Sequence, residues 1–228
     1  MDDVTSEDSQ ADPTTVPDDV LGTRDVVVAR GSDAGTYLHS QVTQDLTGLA
    51  VGASTWTFVL DPTGKIVSLA RVRRTADDEY ALDTDAGFGD ELLARLQRFK
   101  LRVDVDLVVE RADDPGPDPA AARVAAGWPR LGAEIVPGET LVAGTGLARR
   151  AVSFTKGCYP GQELVERMES RGADAPRALR RVPAPAGVTS GDPVVVDGDE
   201  VGVYTTVAGD TALAWIKRGA DVGELVTP

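Results

Sequence analysis

Short apolar runs and polar turns follow one another along the first half of the chain, and the runs predict β-strands. Stretches rich in β-branched and aromatic residues occupy residues 25–30, 55–60, 65–73, 80–83 and 102–110. Short apolar runs of this kind, bounded by turn residues, are typical of strands in a sheet. The sequence Asp61-Pro62-Thr63-Gly64 separates the second run from the third and predicts a tight turn between two antiparallel strands.

Two segments between these runs have the 3.6-residue apolar spacing of helices. Residues 34–46 follow Asp33, which is a favourable N-cap residue, and residues 90–101 place Leu92, Leu96 and Phe99 on one face. Helices interspersed with hairpin-forming strands predict an α+β fold, with a mixed or antiparallel sheet against which the helices pack.

The second half of the chain predicts a different kind of unit. Residues 112–122 consist largely of Ala, Asp, Pro and Gly, the composition of a linker. From residue 178 to residue 228, short strands at 194–196, 201–207 and 212–216 alternate with Gly-containing turns. This pattern predicts a small C-terminal β-barrel. The resulting division is an N-terminal domain over residues 20–177 and a β domain over residues 178–228.

The distribution of charge excludes some classes of partner and predicts the state of the N-terminal residues. The 228 residues carry a net charge of -14, which disfavours nonspecific binding to nucleic acid or to an anionic membrane. Residues 1–19 contain seven acids and no Lys or Arg, so they predict a disordered acidic tail. No apolar run approaches the length of a membrane span, and the single cysteine fits a reducing cytoplasm.

The chemistry concentrates in Lys156-Gly157-Cys158-Tyr159-Pro160-Gly161-Gln162-Glu163, which holds the only cysteine. Residues 151–155 predict a strand before this octapeptide and residues 163–168 predict a helix after it. A thiol on such a strand-to-helix turn, next to Lys156, would have its thiolate form favoured. The alternative is a small buried apolar cysteine in a tight turn. One cysteine and one histidine exclude a Cys/His-rich zinc site or a self-contained iron–sulfur cluster.

This octapeptide resembles the signature of the YgfZ-type folate-binding proteins, which are relatives of the glycine cleavage T-protein, an aminomethyltransferase. The resemblance implies a shortened T-protein-like folate-binding domain, a bound tetrahydrofolate and a role with iron–sulfur client enzymes or cluster carriers. It implies that Cys158 is the key thiol and that Lys156 tunes its pKa. It also implies a set of folate-contacting residues: Gln41, Thr43, Asp45, Tyr159, Gly161, Gln162, Glu163 and Arg177. Trp128 is a candidate for stacking on the folate.

Two departures from the family leave the function open. Ala125 stands where the T-protein has a glutamate that binds the pterin, and residues 112–122 replace a longer folded segment. Residues 64–69 contain no acid, although the T-protein has its catalytic aspartate there, so an aminomethyltransferase lacks its key group. The hypotheses are a folate-binding auxiliary protein for iron–sulfur cluster assembly or repair, an aminomethyltransferase-like enzyme and an interaction module without a small ligand.

Overall fold

The computed structural model describes residues 16–114, 116–170 and 175–226. Most of the predicted tail, residues 1–15, lies outside the described residues. The predicted tail extends to residue 19, and its described part begins with a packed residue. Val16 is 7% exposed and belongs to the N-terminal core. A first short helix, α1, follows at once over Asp18–Leu21.

Five strands form the N-terminal sheet, and every neighbouring pair in it is antiparallel. They are β1 (Arg24–Arg30), β2 (Ser54–Leu60), β3 (Ile66–Ala76), β4 (Glu79–Asp85) and β5 (Asp106–Glu110). Their order across the sheet is β2-β3-β4-β1-β5. The fifth strand begins four residues later than the run at 102–110 predicts, since Arg102 has a φ of 55°, outside the extended region.

Helices α2 (Ala34–Gln41) and α3 (Gly89–Arg98) pack on one face of this sheet. The predicted helix at 34–46 is too long at its C-terminal end. Val42 is extended, with a ψ of 160°, and it forms an isolated bridge with Val59 of β2. The chain leaves the helix there because it gains a partner on the edge of the sheet.

The sheet is covered on both faces, which explains why β2 and β3 each bury five consecutive residues. On one face, residues such as Val27, Val59 and Leu82 pack with α2 and α3. On the other face, Trp56 and Phe58 pack with the segment that follows the linker. That segment therefore completes the N-terminal core.

The segment over residues 120–170 is helical in short pieces. It contains α4 (Ala120–Ala126), a 3-10 turn (Val142–Gly144), α5 (Ala148–Ala151) and α6 (Gln162–Ser170). The predicted strand at 151–155 is wrong. Ala151 ends α5, and the next residues form a loop whose one described backbone contact with the sheet region runs from Ser153 N–H to the Thr43 carbonyl.

The C-terminal unit is a second antiparallel sheet, in the order β10-β6-β9-β8-β7. Its strands are β6 (Arg177–Pro183), β7 (Pro193–Val196), β8 (Asp199–Ala208), β9 (Thr211–Lys217) and β10 (Glu224–Leu225). Buried Arg123 ties this sheet to α4, because its guanidinium binds Glu134 and the Thr206 hydroxyl of β8. The α+β class with a C-terminal β unit is confirmed.

Candidate functional site

The first six residues of the signature octapeptide lie in a loop that we call the thiol loop, residues 152–161, between α5 and α6. Its first part is held by the Ser153 N–H, which donates to the Thr43 carbonyl at 3.0 Å. Its last residues enter α6 at Gln162, whose side-chain oxygen accepts from the Tyr159 N–H at 3.4 Å. The loop thus connects two helices while running along the end of α2.

Lys156 fixes the middle of the thiol loop to the end of α2. Its side chain is buried, and its ammonium group donates to the carbonyls of His39, Val42 at 2.7 Å and Gln44 at 3.2 Å. The last carbonyls of a helix have no partner within the helix. Lys156 therefore links the C-terminal end of α2 to the thiol loop.

This arrangement changes the role expected for Lys156. Burial lowers the pKa of its ammonium to about 8, against an opposing attraction from Asp45. The ammonium donates to the three carbonyls, and the thiol of Cys158 is not among its hydrogen-bond partners in the described structure. The contacts assign Lys156 to positioning the loop.

Tyr159 and Gly161 hold the other side of the thiol loop. Tyr159 is 7% exposed, and its ring centroid lies 5.3 Å from the Lys156 nitrogen, within the range of a cation–π contact. Gly161 has a φ of 84°, and a Cβ there would lie 2.6 Å from the Asp61 carbonyl oxygen. Glycine is required because the loop packs backbone to backbone on the turn between β2 and β3.

Cys158 lies in the sequence between the buried residues Lys156 and Tyr159, and it is itself exposed. Gly157 beside it has nothing within 4 Å of a Cβ position, so the crest of the loop faces open space. The alternative of a buried structural cysteine does not describe this residue. The fold presents a single thiol on a loop whose flanks are fixed.

The three predicted folate-contacting residues at the end of α2 and just after it are placed differently from one another. Gln41 is buried, and its side-chain oxygen accepts from Arg95 at 3.3 Å. Thr43 is also buried, and its hydroxyl donates to the Ala151 carbonyl at 2.6 Å. Asp45 is exposed and accepts from the N–H of Thr47 at 2.8 Å; hydrogen bonds from the side chain and N–H of Thr47 lower the pKa of Asp45.

Trp128 and Glu163 are not together in one pocket. The Trp128 side chain is 2% exposed, and its ring packs on Trp56 in the N-terminal core with centroids 4.5 Å apart. Glu163 points to solvent on α6 and pairs with Arg167 one turn later. Folate contact by either residue therefore stays a prediction from the resemblance.

Arg177 lies at a separate place, in a cleft of about 330 Å³ between the 133–144 segment and the C-terminal sheet. We call this the Arg177 cleft, and its polar and aromatic lining includes Glu134, Glu139, Thr140, Arg177 and Trp215. Its volume is at the lower end of the range of small-molecule sites, roughly 300–1,000 Å³. Trp215 and Glu139 are remote from Arg177 in the sequence, and the fold brings them beside it.

The acids near the Arg177 cleft differ in availability. Glu134 is fully buried and binds Arg123 at 2.8 Å, and its backbone carbonyl accepts from the Trp215 indole at 2.9 Å. Glu139 is exposed and forms neither an ion pair nor a side-chain hydrogen bond with the described residues. Ala125 is exposed on α4, where its carbonyl accepts from Arg181.

A search of the described residues shows no group of three or more His, Cys, Asp or Glu side chains that could hold a metal ion. In the same part of the chain, no helix has both the length and the apolar character needed to cross a lipid bilayer.

Comparison with solved structures defines the fold. The chain is similar to the crystal structure of the glycine cleavage system aminomethyltransferase T from Bartonella henselae, with a TM-score of 0.75 at 13% sequence identity. The match covers 86% of this chain and 77% of that one. The fold is therefore T-protein-like.

Comparison with curated sequences adds two relatives. The chain is 27% identical over 189 residues to an uncharacterized protein of Haemophilus influenzae, covering 65% of this chain and 67% of that protein. It is 40% identical over 79 residues to the iron-sulfur cluster assembly factor IBA57 homolog, mitochondrial, of Chaetomium globosum, covering 34% of this chain but only 18% of that protein. No protein-family model matches the chain. The predicted resemblance to T-protein-like proteins is confirmed.

Proposed function

We propose that this protein is a folate-binding auxiliary protein that supports the assembly or repair of iron–sulfur clusters in client enzymes in the cytoplasm. The observation that carries the proposal is the exposed Cys158 on a loop fixed by Lys156, Tyr159 and Gly161. Similarity to a cluster assembly factor supports it over part of the chain.

The chemistry assigned to Cys158 is that of one ligand. A thiolate binds iron, but a cluster needs several such ligands. The described residues offer no group of three metal-binding side chains, so the remaining ligands come from a client, a carrier or a small thiol. The cluster is then cargo that passes between partners, and the rigid loop keeps the thiol accessible to them.

The Arg177 cleft supports a place for the reduced folate. A pterin has a donor edge that suits a carboxylate, and Glu139 lines the cleft without an ion pair among the described residues. Trp215 provides an aromatic face, and Arg177 suits the carboxylates at the other end of a folate. The donors and acceptors fit the ligand class, and Glu139 takes the part that Ala125 cannot.

Neither alternative has equal support. The stretch over residues 64–69, which resembles the T-protein strand that holds the catalytic aspartate, contains no acid. Ser68 in this stretch is fully buried, and its hydroxyl lies 2.8 Å from the Thr84 hydroxyl. No carboxylate in this stretch can direct proton transfer. An interaction module without a ligand would leave the Glu139 and Arg177 side chains without a role, and a titration with tetrahydrofolate distinguishes this possibility.

The test of the thiol uses the full chain in cells that lack it. Cys158→Ser is expected to lower the activities of client iron–sulfur enzymes to those of the deleted strain, while the protein stays folded and abundant. Thr155→Ala, an exposed change in the same loop, is the matched control and should restore full activity. Full activity with Cys158→Ser would mean that the thiol has no part in the function.

A further inference from the structure

An apolar slot of about 160 Å³ opens between the thiol loop, α6 and the 3-10 turn. We call it the anchor slot, and its apolar lining includes Leu141, Val142, Ala148, Phe154, Leu164 and Met168. Phe154 belongs to the thiol loop, and it is 36% exposed. The volume suits a single apolar side chain rather than a cofactor, because small-molecule sites span roughly 300–1,000 Å³.

The α6 wall of the anchor slot is fixed by packing. Gly64, at a φ of 85° in the turn between β2 and β3, lies so close to α6 that a Cβ there would be 2.7 Å from the Leu164 Cβ. Val165 is buried in the N-terminal core. Met168 adds a flexible thioether that adapts to different apolar shapes. A side chain that enters the slot therefore meets a preformed site, which lowers the ordering cost of binding.

Acidic side chains surround the outer end of the slot. The depression that continues the slot past Phe154 is lined by Glu163, Glu166, Arg167, Glu169 and Ser170. Arg167 pairs with Glu163, and Arg149 pairs with Glu169 at 3.5 Å. Exposed pairs of this kind are weak and screened by salt. Glu166 forms no ion pair with any described residue, so the rim of the slot favours a positively charged partner.

The anchor slot lies near the exposed thiol. Phe154 and Cys158 are four positions apart in the thiol loop, so their Cα atoms are at most about 14 Å apart. Burial and the nearby charge of Glu166 raise the pKa of Tyr159 to about 12, which places this rim carboxylate close to the residue that follows Cys158. A partner segment held in the slot would therefore be within reach of Cys158.

We propose that the anchor slot is a docking site for the protein that shares an iron–sulfur cluster with Cys158, and that it takes one bulky apolar side chain flanked by Lys or Arg. The apolar side chain fills the slot, and the basic residues meet Glu166 and its neighbouring carboxylates. The inference rests on the proposed role of Cys158. Docking itself needs no thiol, so the two proposals can fail separately.

The experiment is a low-salt titration of the full chain with the capped pentapeptide Lys-Gly-Leu-Gly-Lys. Alternate residues of an extended peptide share a face, so the leucine and both lysines can meet the slot together. The chain has two methionines, and Met168 lines the slot, so its isotope-labelled methyl signal reports occupation by NMR. We expect a saturable shift of this signal. Binding should weaken about tenfold when serine replaces the leucine and about fivefold when glutamates replace the lysines.

Variants of the slot and of its rim separate the two contributions. Phe154→Ala should weaken binding of the leucine peptide about fivefold, whereas Val195→Ala, at an exposed apolar position on β7, should leave it unchanged. Glu166→Gln should weaken binding about threefold, and Glu91→Gln, at an exposed position on α3, is its matched control. The proposal is overturned if the Met168 signal does not shift, or if binding is independent of the leucine, of the lysines or of Phe154.

The link to the thiol is tested in cells that lack the chain. Phe154→Ala should lower the activities of client iron–sulfur enzymes, while Thr155→Ala in the same loop should restore them. Purified Cys158→Ser should bind the peptide as the wild type does. Loss of client activity in Cys158→Ser, with full activity in Phe154→Ala, would overturn the docking site and leave the role of the thiol standing. Full activity in both variants would overturn both proposals.

Discussion

The thiol loop and the Arg177 cleft differ in how their polar groups are used. In the loop, the Lys156 ammonium donates to three backbone carbonyls, and Gly161 packs on a turn of the N-terminal sheet. In the cleft, Glu139 and Arg177 have no ion-pair partner among the described residues. The polar groups of the loop bind other parts of the chain and fix the position of the exposed thiol. The charged groups of the cleft are available to a ligand.

The residues of the sequence signature and the residues suited to binding a small ligand lie in different parts of the molecule. Lys156, Tyr159 and Gly161 of the octapeptide shape the loop, and Cys158 is exposed on it. Glu139 and Arg177 of the cleft each lie 19 positions from Cys158 along the chain, and the lining comes from both structural units. In the proposed function, the signature therefore identifies the family without containing the folate site.

The largest expected effect on the loop comes from Gly161→Ala. The new Cβ would lie 2.6 Å from the Asp61 carbonyl oxygen, at a φ of 84° that disfavours a side chain. We expect the free energy of unfolding to fall by about 3 kcal/mol. Urea unfolding measures this, and Gly157→Ala is the matched control because nothing lies within 4 Å of its Cβ position. Equal effects of both substitutions would show that the loop is not packed on the turn.

A smaller loss of stability is expected from Lys156→Met. The variant keeps the length of the side chain but leaves the carbonyls of His39, Val42 and Gln44 without their shared donor. We expect about 2 kcal/mol of destabilisation. The free-energy cost of leaving these buried carbonyls unpaired exceeds the gain from no longer burying a charged ammonium. Alkylation of Cys158 should also change in rate as the loop loosens. A variant as stable as the wild type, with an unchanged alkylation rate, would contradict the positioning role.

The pH dependence of that difference gives the smallest effect on the loop. Burial lowers the pKa of Lys156 to about 8, so between about pH 8 and the higher pKa of an unfolded lysine the unfolded chain binds more protons. Wild-type stability should therefore rise relative to Lys156→Met as the pH increases through this window. A difference that stays constant, or that shrinks, would show that the ammonium is not destabilised by burial.

Much of the fold could be predicted from the sequence because local patterns carry it. The strands β1 to β4 and α3 follow from apolar periodicity and the turn at residues 61–64. The errors come from tertiary contacts. The pattern at 151–155 suits a strand, but Thr43 offers it only one backbone acceptor, and α2 ends early where Val42 pairs with β2.

The site was less accessible to sequence reasoning than the fold. Cys158 could be recognised because the signature surrounds it, but the direction of the Lys156 ammonium depends on carbonyls more than 110 residues earlier. The nearness of Glu139 and Trp215 to Arg177 depends on how the C-terminal sheet packs. No local pattern records such distances between residues that are remote in the chain.

The measurement that tests the separation of loop and cleft most directly is the affinity for monoglutamyl tetrahydrofolate, compared among the wild type, Cys158→Ser and Glu139→Gln under anaerobic conditions. The account predicts that Cys158→Ser binds as the wild type does. It predicts that Glu139→Gln binds about tenfold more weakly, because a charged acceptor for the pterin is lost. Loss of binding in Cys158→Ser, with unchanged binding in Glu139→Gln, would place the ligand at the thiol loop and contradict the account.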